Sequence, residues 1–245
     1  MKIKTIKTHK ITYRDKDILS IIDKYINKLP DNSIMAVTSK IISICEGSVI
    51  KIDKKTNKDK LIKQEADRYI PKEKSKYGFY LTLKNNVLIP SSGIDESNGD
   101  GYYILWPRNP QKSANNIRKY LIDKFHIKNI GVIITDSKTT PLRWGTTGIS
   151  IANCGFMVLN SYVSKPDIFG KKLEVTKANI ADGLAAAAVL EMGEGKEQTP
   201  IAIIEDIKYV KFQKQNPSKK ELKSLNISIE DDLYASLLTG VKWKR

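Results

Sequence analysis

Three carboxylates stand where apolar stretches break off. Asp95 follows "VLIPSSG" in "GIDESN", Asp136 and Ser137 follow "GVII" in "TDS", and Glu194 sits in the Gly-rich run "MGEGKEQT". Acids and hydroxyls at the ends of strands and helices can be gathered in one place, whereas the same groups in mid-strand would be buried or splayed. An oxygen-rich set of Asp95, Asp136, Ser137 and Glu194 suits Mg2+ or Mn2+, hard ions that bridge to phosphate oxygens. Read singly, each acid is better explained as a cap of a turn or helix, and spacing alone does not bring the three together. Arg143 lies beyond Pro141 in the stretch after Asp136. A rigid turn that aimed its guanidinium back at such a cluster would grip phosphate or carboxylate through two bonds; the alternative is a surface salt bridge. Gly145 and Gly148 allow either a close backbone approach to a ligand or a tight turn.

Other chemistries have little material. There is no G-x-x-x-x-G-K-[ST], no G-x-G-x-x-G after a strand, no G-x-S-x-G and no H-E-x-x-H. Cys45 and Cys154 are far apart and form no C-x-x-C pair, which argues against a disulfide framework and a structural zinc site. The histidines are His9 and His126 alone.

The elements that must position these residues follow from hydrophobic periodicity. Residues 2–7 read as a strand, and Ile18, Leu19, Ile21, Ile22, Tyr25 and Ile26 form a helical stripe. Ile34–Val37 is a short buried strand that stops at "TSK", with Ser39 placed to cap a helix opening at Lys40. "SVIKI" reads as a strand, and residues 54–76 as a helix with a charged surface loop. "YGFYLTL" and "NVLIP" around "KNN" read as a hairpin. Residues 112–125 form an amphipathic helix running into a buried strand, Ile130–Thr135. "TTGISIANCGF" is strand-like, "VTKANIADGLAAAAVLEMGEG" is a helix closed by Gly193 and Gly195, and "TPIAIIEDI" is another strand. The tail ends in a helical "IEDDLYASLLTGV". No repeat or linker interrupts the chain, so residues 1–245 read as one unit, with two subdomains of unplaced boundary as a variant. Irregular mixing of helices and strands points to α/β or α+β, with mixed sheets and packed helices, rather than to a regular βαβ series.

The chain has 245 residues, 40% of them hydrophobic and 28% charged, as in folded soluble proteins. It has no apolar run long enough for a membrane span and no secretory h-region at its start, so a cytoplasmic location is expected. The net charge of +15 points to polyanionic ligands or nucleic acid. Its lysines are scattered without an aromatic stacking platform, which favours a solvated basic surface over a nucleic-acid stripe.

Taken together, "VTSKIISICEG", "SSGIDESN", "GVIITDSKTTPLRWGTTGISIA", "KPDIFGKKLEVT", "IADGLAAAAVLEMGEG" and "TPIAII" resemble the coenzyme F420-0:γ-glutamyl ligase family, in the family's order and over most of residues 33–204. "DSKTTPLRWGTTG" with "GEGKEQTP" resembles the wording of bacterial members linked to folate metabolism. The resemblance implies joining of L-glutamate to an acceptor carboxylate with GTP and Mg2+ or Mn2+, ATP being the alternative nucleotide. It implies an acyl-phosphate route: the acceptor carboxylate is phosphorylated, then attacked by the glutamate amine. By motif, Asp95, Asp136 and Glu194 would be metal ligands with Ser137 beside them. Asn98, Ser39 and Lys40 would face the nucleotide, and the segment with Met192, Gly193 and Gly195 would wrap its phosphates. The family's N-terminal nucleotide contact maps loosely to residues around His9–Ile11, and Arg143 would meet an anionic reactant. The implied fold is a mixed α+β unit forming an intertwined homodimer, in which "TTGISIANCGFMVLNSYV" would suit either a strand crossing to a partner or an ordinary core strand. Two departures stand out. Ile44 replaces a frequent lysine of the family, and Thr140 an arginine. They leave GTP against ATP, and an F420-0-like against a folate-like acceptor, open. They also admit a nucleotide-binding member without ligase activity, beside a basic nucleic-acid-binding protein and a metal-dependent phosphohydrolase.

Overall fold

The computed structural model describes all 245 residues. The chain opens with β1 (Lys2–Ile6), α1 (Ile18–Tyr25), β2 (Ser33–Thr38) and α2 (Ser39–Cys45). A segment of short elements follows: β3 (Val49–Lys51), α3 (Lys58–Glu65), β4 (Arg68–Ile70), β5 (Leu81–Lys84), β6 (Val87–Pro90) and β7 (Tyr102–Ile104). The chain returns through α4 (Pro110–Phe125), β8 (Ile130–Thr139), β9 (Thr146–Cys154), β10 (Leu159–Ser161), β11 (Lys177–Asn179), α5 (Ile180–Met192) and β12 (Ile201–Glu205). Two short helices, α6 (Lys219–Leu222) and α7 (Ala235–Thr239), lie in the tail.

Local chemistry accounts for the boundaries. Asp17 accepts hydrogen bonds from the Leu19 and Ser20 amides and starts α1. Asn109 caps α4, Pro110 occupies its first turn, and His126 ends it at φ +53°. Asn85 and Asn86 take φ +48° and +65° between β5 and β6, the two-residue turn that suits the twist of a hairpin.

The main sheet has the order β1-β12-β2-β8-β9, parallel only between β2 and β8. Strand alternation divides its apolar side chains between two cores. Met35, Val37, Ile130, Val132 and Ile134 pack with residues of α1, α2 and α4. Ile34, Ala36, Ile133, Ala202 and Ile204 pack with α5 on the other face. The alanines of α5 let it approach closely: a Cβ on Gly148 of β9 would lie 2.5 Å from the Ala185 carbonyl. A third, smaller core of Ile62, Tyr80, Ile94 and Tyr103 holds the 46–106 segment together. No helix is long and apolar enough to cross a membrane.

The mixed α+β expectation is met, with three corrections. β8 runs on to Thr139, so Asp136 and Ser137 lie within a strand, opposite Ile149 and Gly148, rather than in the loop beyond it. Residues 68–70 form a strand within the stretch expected to be helix and loop, because they pair with β5. Only Ala235–Thr239 of the expected C-terminal helix is helical. The segment from Thr146 to Cys154 pairs with β8 of its own chain.

Candidate active site

The ends of two parallel strands fix where the site forms. Thr38 of β2 lies opposite Thr135 of β8, so Ser39–Lys40 and Asp136–Ser137 emerge side by side. The antiparallel β12 begins on this edge, with the Thr38 amide donating to the Pro200 carbonyl at 3.0 Å. β1 ends there as well, and the Thr8 amide donates to the Gln198 carbonyl at 2.8 Å. The turn after β6 brings Asp95 and Asn98 from the smaller segment. Together these enclose a cavity of about 770 Å³. Ser39, Lys40, Asp95, Asn98, Asp136, Ser137, Met192, Gly193, Glu194 and Gly195 all line it. Arg143 does not: it is exposed in the turn between β8 and β9 and makes no ion pair, because the longer β8 carries it outward.

The Asp95 carboxylate is held from two sides. Its Oδ1 accepts from the Glu96 and Ser97 amides at 2.6 and 2.8 Å. Its Oδ2 lies 2.6 Å from the Lys40 ammonium, which also donates to the Ser97 carbonyl and hydroxyl at 3.1 and 3.2 Å. Burial pushes this carboxyl up, but Lys40 and the Ser97 donors outweigh it and the net shift is downward. Asp136 is the opposite case. Burial pushes its carboxyl up to about 6, against the pull of the Ser137 amide and the Trp106 indole N–H, while Asp95 adds repulsion.

The strand explains why Asp136 and Ser137 part company. Successive residues leave opposite faces of β8. Asp136 accepts from Trp106 Nε1 on one face, and Ser137 Oγ donates to Glu194 Oε1 at 2.7 Å on the other. Thr146 Oγ1 donates to the same glutamate oxygen at 3.2 Å. Asn98 Nδ2 donates to the Gly195 carbonyl at 2.9 Å, linking the smaller segment to the loop after α5. That loop is tightly wound: Gly193 has φ +78°, and the Gly195 amide donates to Glu197 Oε2 at 2.8 Å.

Asp95 and Asp136 fit a divalent cation as a pair of hard oxygen donors, and a buried carboxyl beside a second one is the kind of group such a charge relieves. Glu194 shares the cavity but is engaged by hydroxyls, and no three His, Cys, Asp or Glu side chains close on one point. The expected three-carboxylate cluster is therefore present as a shared wall rather than as a common ligand sphere. His9 also lines the cavity, with Nδ1 at 2.8 Å from the Tyr25 hydroxyl and Nε2 at 2.9 Å from Asp15. Ile44 is buried in the wall.

Two residues of the site were not singled out by the sequence. Trp106 packs its indole over Gly93, where a Cβ would lie 2.2 Å from Nε1 at φ +68°. The only signal was a Trp that, once buried, needs an acceptor for its N–H. Lys138 lines the cavity two residues beyond Asp136, on the same side of β8 by strand period.

The sequence profile of the F420-0:Gamma-glutamyl ligase family matches residues 3–206. The chain belongs to this family, a family of ligases. It is 35% identical over 197 residues to the coenzyme F420:L-glutamate ligase of Methanococcus maripaludis strain C7, covering 80% of this chain and 77% of the relative. It is 36% identical over 193 residues to the Methanocaldococcus jannaschii protein of that name, covering 72% and 76%. Against the Methanosarcina mazei protein of that name it is 32% identical over 226 residues, covering 85% and 88%.

Proposed function

We propose that the protein is a nucleotide- and divalent-metal-dependent amide ligase that adds L-glutamate to the carboxylate of an anionic acceptor. The observation that carries this reading is the meeting of Asp95, Asp136, Glu194, Asn98 and Gly195, from distant parts of the sequence, around one cavity. The names of the relatives support glutamate as the amine and an F420-like acceptor; a folate-like acceptor is the alternative. GTP is the expected nucleotide, with ATP second.

A carboxylate is a poor electrophile until one oxygen becomes a phosphate leaving group, so an acyl-phosphate route suits the reaction. A divalent ion held by Asp95 and Asp136 would neutralise charge on the nucleotide phosphates and the acceptor. The remaining work falls to the chain. Lys40 supplies a cation at the same wall. Ser39 and Asn98 would orient the nucleotide, and the Met192–Gly195 loop, with no side chains at its two glycines, would wrap its phosphates. Ser137 and Thr146 hold Glu194 in place. Arg143 reaches an anionic reactant only if the β8–β9 turn meets another cavity. Leu142 and Trp144 beside it are 102% and 91% exposed, which favours a homodimer built through this turn.

The test is turnover of the purified protein with GTP or ATP, Mn2+, L-glutamate and a panel of F420-0-like and folate-like acceptors. Phosphate release and the mass of the product are read together. Release that requires both glutamate and acceptor, with a product heavier by one glutamyl residue, is the expected result. Release without glutamate would assign a phosphohydrolase. Nucleotide binding with no release across the panel would assign a binding protein without ligase activity.

A further inference from the structure

We propose that Lys40 is an internal counter-ion that competes with the divalent cation for Asp95, so that metal enters the cleft with nucleotide rather than ahead of it. The inference rests on the metal reading of the Asp95–Asp136 cleft given above and adds to it an order of binding and the residue that sets it.

The geometry leaves little alternative use for Asp95. Its Oδ1 is occupied by two loop amides, from Glu96 and Ser97. Its Oδ2 takes the Lys40 ammonium at 2.6 Å and accepts from the Ser97 hydroxyl at 3.1 Å. Lys40 is fixed there by the Ser97 carbonyl and hydroxyl as well. An ion bound through Oδ2 would therefore stand within a few ångströms of a full positive charge, in a partly desolvated site. Like charges at that range repel, and the half-exposed position of the pair screens the repulsion only in part. The ammonium must leave for the ion to stay.

Lys40 is the second residue of α2, which follows β2 directly, so its backbone is fixed by the strand–helix junction while its four-carbon stem is free to swing. A nucleotide gives the displaced ammonium somewhere to go. The triphosphate brings enough negative charge for both cations, whereas the empty cleft offers Asp95 to one of them. Bare metal must evict Lys40 uncompensated; metal arriving on phosphate carries the replacement partner with it. The same exchange keeps Asp95 ionised and in position before any ligand arrives.

The probe is Mn2+, followed by the electron paramagnetic resonance signal of the free ion, with wild type, Lys40→Met and Lys40→Arg. Each is titrated alone and with a non-hydrolysable GTP analogue. Without nucleotide, Lys40→Met is expected to bind Mn2+ about tenfold or more tightly than wild type, since a neighbouring charge shifts ionic equilibria by one or more powers of ten. Lys40→Arg, which keeps the charge, should stay near wild type and assigns the methionine effect to the lost charge. With nucleotide, Lys40→Met should lose its advantage and bind the analogue more weakly than wild type. Equal or weaker Mn2+ binding by Lys40→Met without nucleotide would overturn the proposal. Absence of Mn2+ uptake by all three proteins, even with the analogue, would overturn it together with the metal reading. Failure of ligation in wild type with the Mn2+ pattern intact would remove the assigned reaction and leave the role of Lys40 standing.

Discussion

Asp136→Asn separates what the buried carboxyl does for the reaction from what it costs the fold. The folded protein pushes this carboxyl up to about 6, from an ordinary value of 3.8. A carboxyl raised in the native state is held protonated there at pH values where the unfolded chain has released its proton. Its stabilising contribution is complete below about pH 4 and is lost as pH rises through about 6. The shift amounts to about 3 kcal/mol, at 1.36 kcal/mol per pH unit. Asparagine has the shape of the acid and no titration. The free energy of wild type minus that of Asp136→Asn should therefore fall by about 3 kcal/mol between pH 4 and pH 7 and be flat above. Any fixed penalty from the amide meeting the Trp106 or Ser137 N–H displaces the whole curve without changing its shape. Urea unfolding of both proteins in chelator, at half-unit steps of pH, gives the two curves. Addition of Mn2+ and nucleotide should flatten the difference, because a bound cation restores the charged form. Parallel curves in chelator would refute the reasoning, since they would mean that Asp136 is no harder to ionise folded than unfolded. Ligation should be abolished in the variant at every pH.

Two other substitutions probe the supports of the site. Gly93→Ala puts a methyl into the Trp106 indole at a backbone angle that disfavours any side chain, so it should displace the donor to Asp136. A loss of at least about 1 kcal/mol in stability and a shift in tryptophan fluorescence are the expected readings; unchanged fluorescence would show that Trp106 is not held by this contact. Leu142→Ser with Trp144→Ser should leave the monomer folded while halving the mass seen by sedimentation equilibrium, with loss of activity, if the exposed turn joins two copies. A wild-type monomer that is fully active would remove the turn from the site.

The residues explain which parts of this were legible beforehand. The amphipathic segment 112–125 declared itself because one face had to be apolar, and 201–205 because a strand buried on both faces reads as a continuous apolar run. The hairpin around Asn85–Asn86 did so through residues that tolerate positive φ. The acids at 95, 136 and 194 were legible as interruptions of apolar runs. That they share a cavity rested on motif order, since no local pattern encodes which strand lies beside which. The end of β8 was misjudged because its last residues are polar and pair only with Thr146–Gly148 and their neighbours, a long-range fact. That misjudgement moved Arg143 inward by several residues. Trp106 escaped notice because its function is to donate to a side chain 30 positions away.

The cavity has no wall that any one stretch of chain could build. Its sides come from the exits of β1 and β2, the second half of β8, the loop that leads into β12 and a turn from the smaller segment. Those contacts are among the most distant in the sequence, and distant contacts are the slow ones to form. The pocket therefore cannot exist before the main sheet has assembled. A nucleotide bound there as proposed would tie the edge of the main sheet to the 46–106 segment, and should shield backbone sites far from itself against proteolysis.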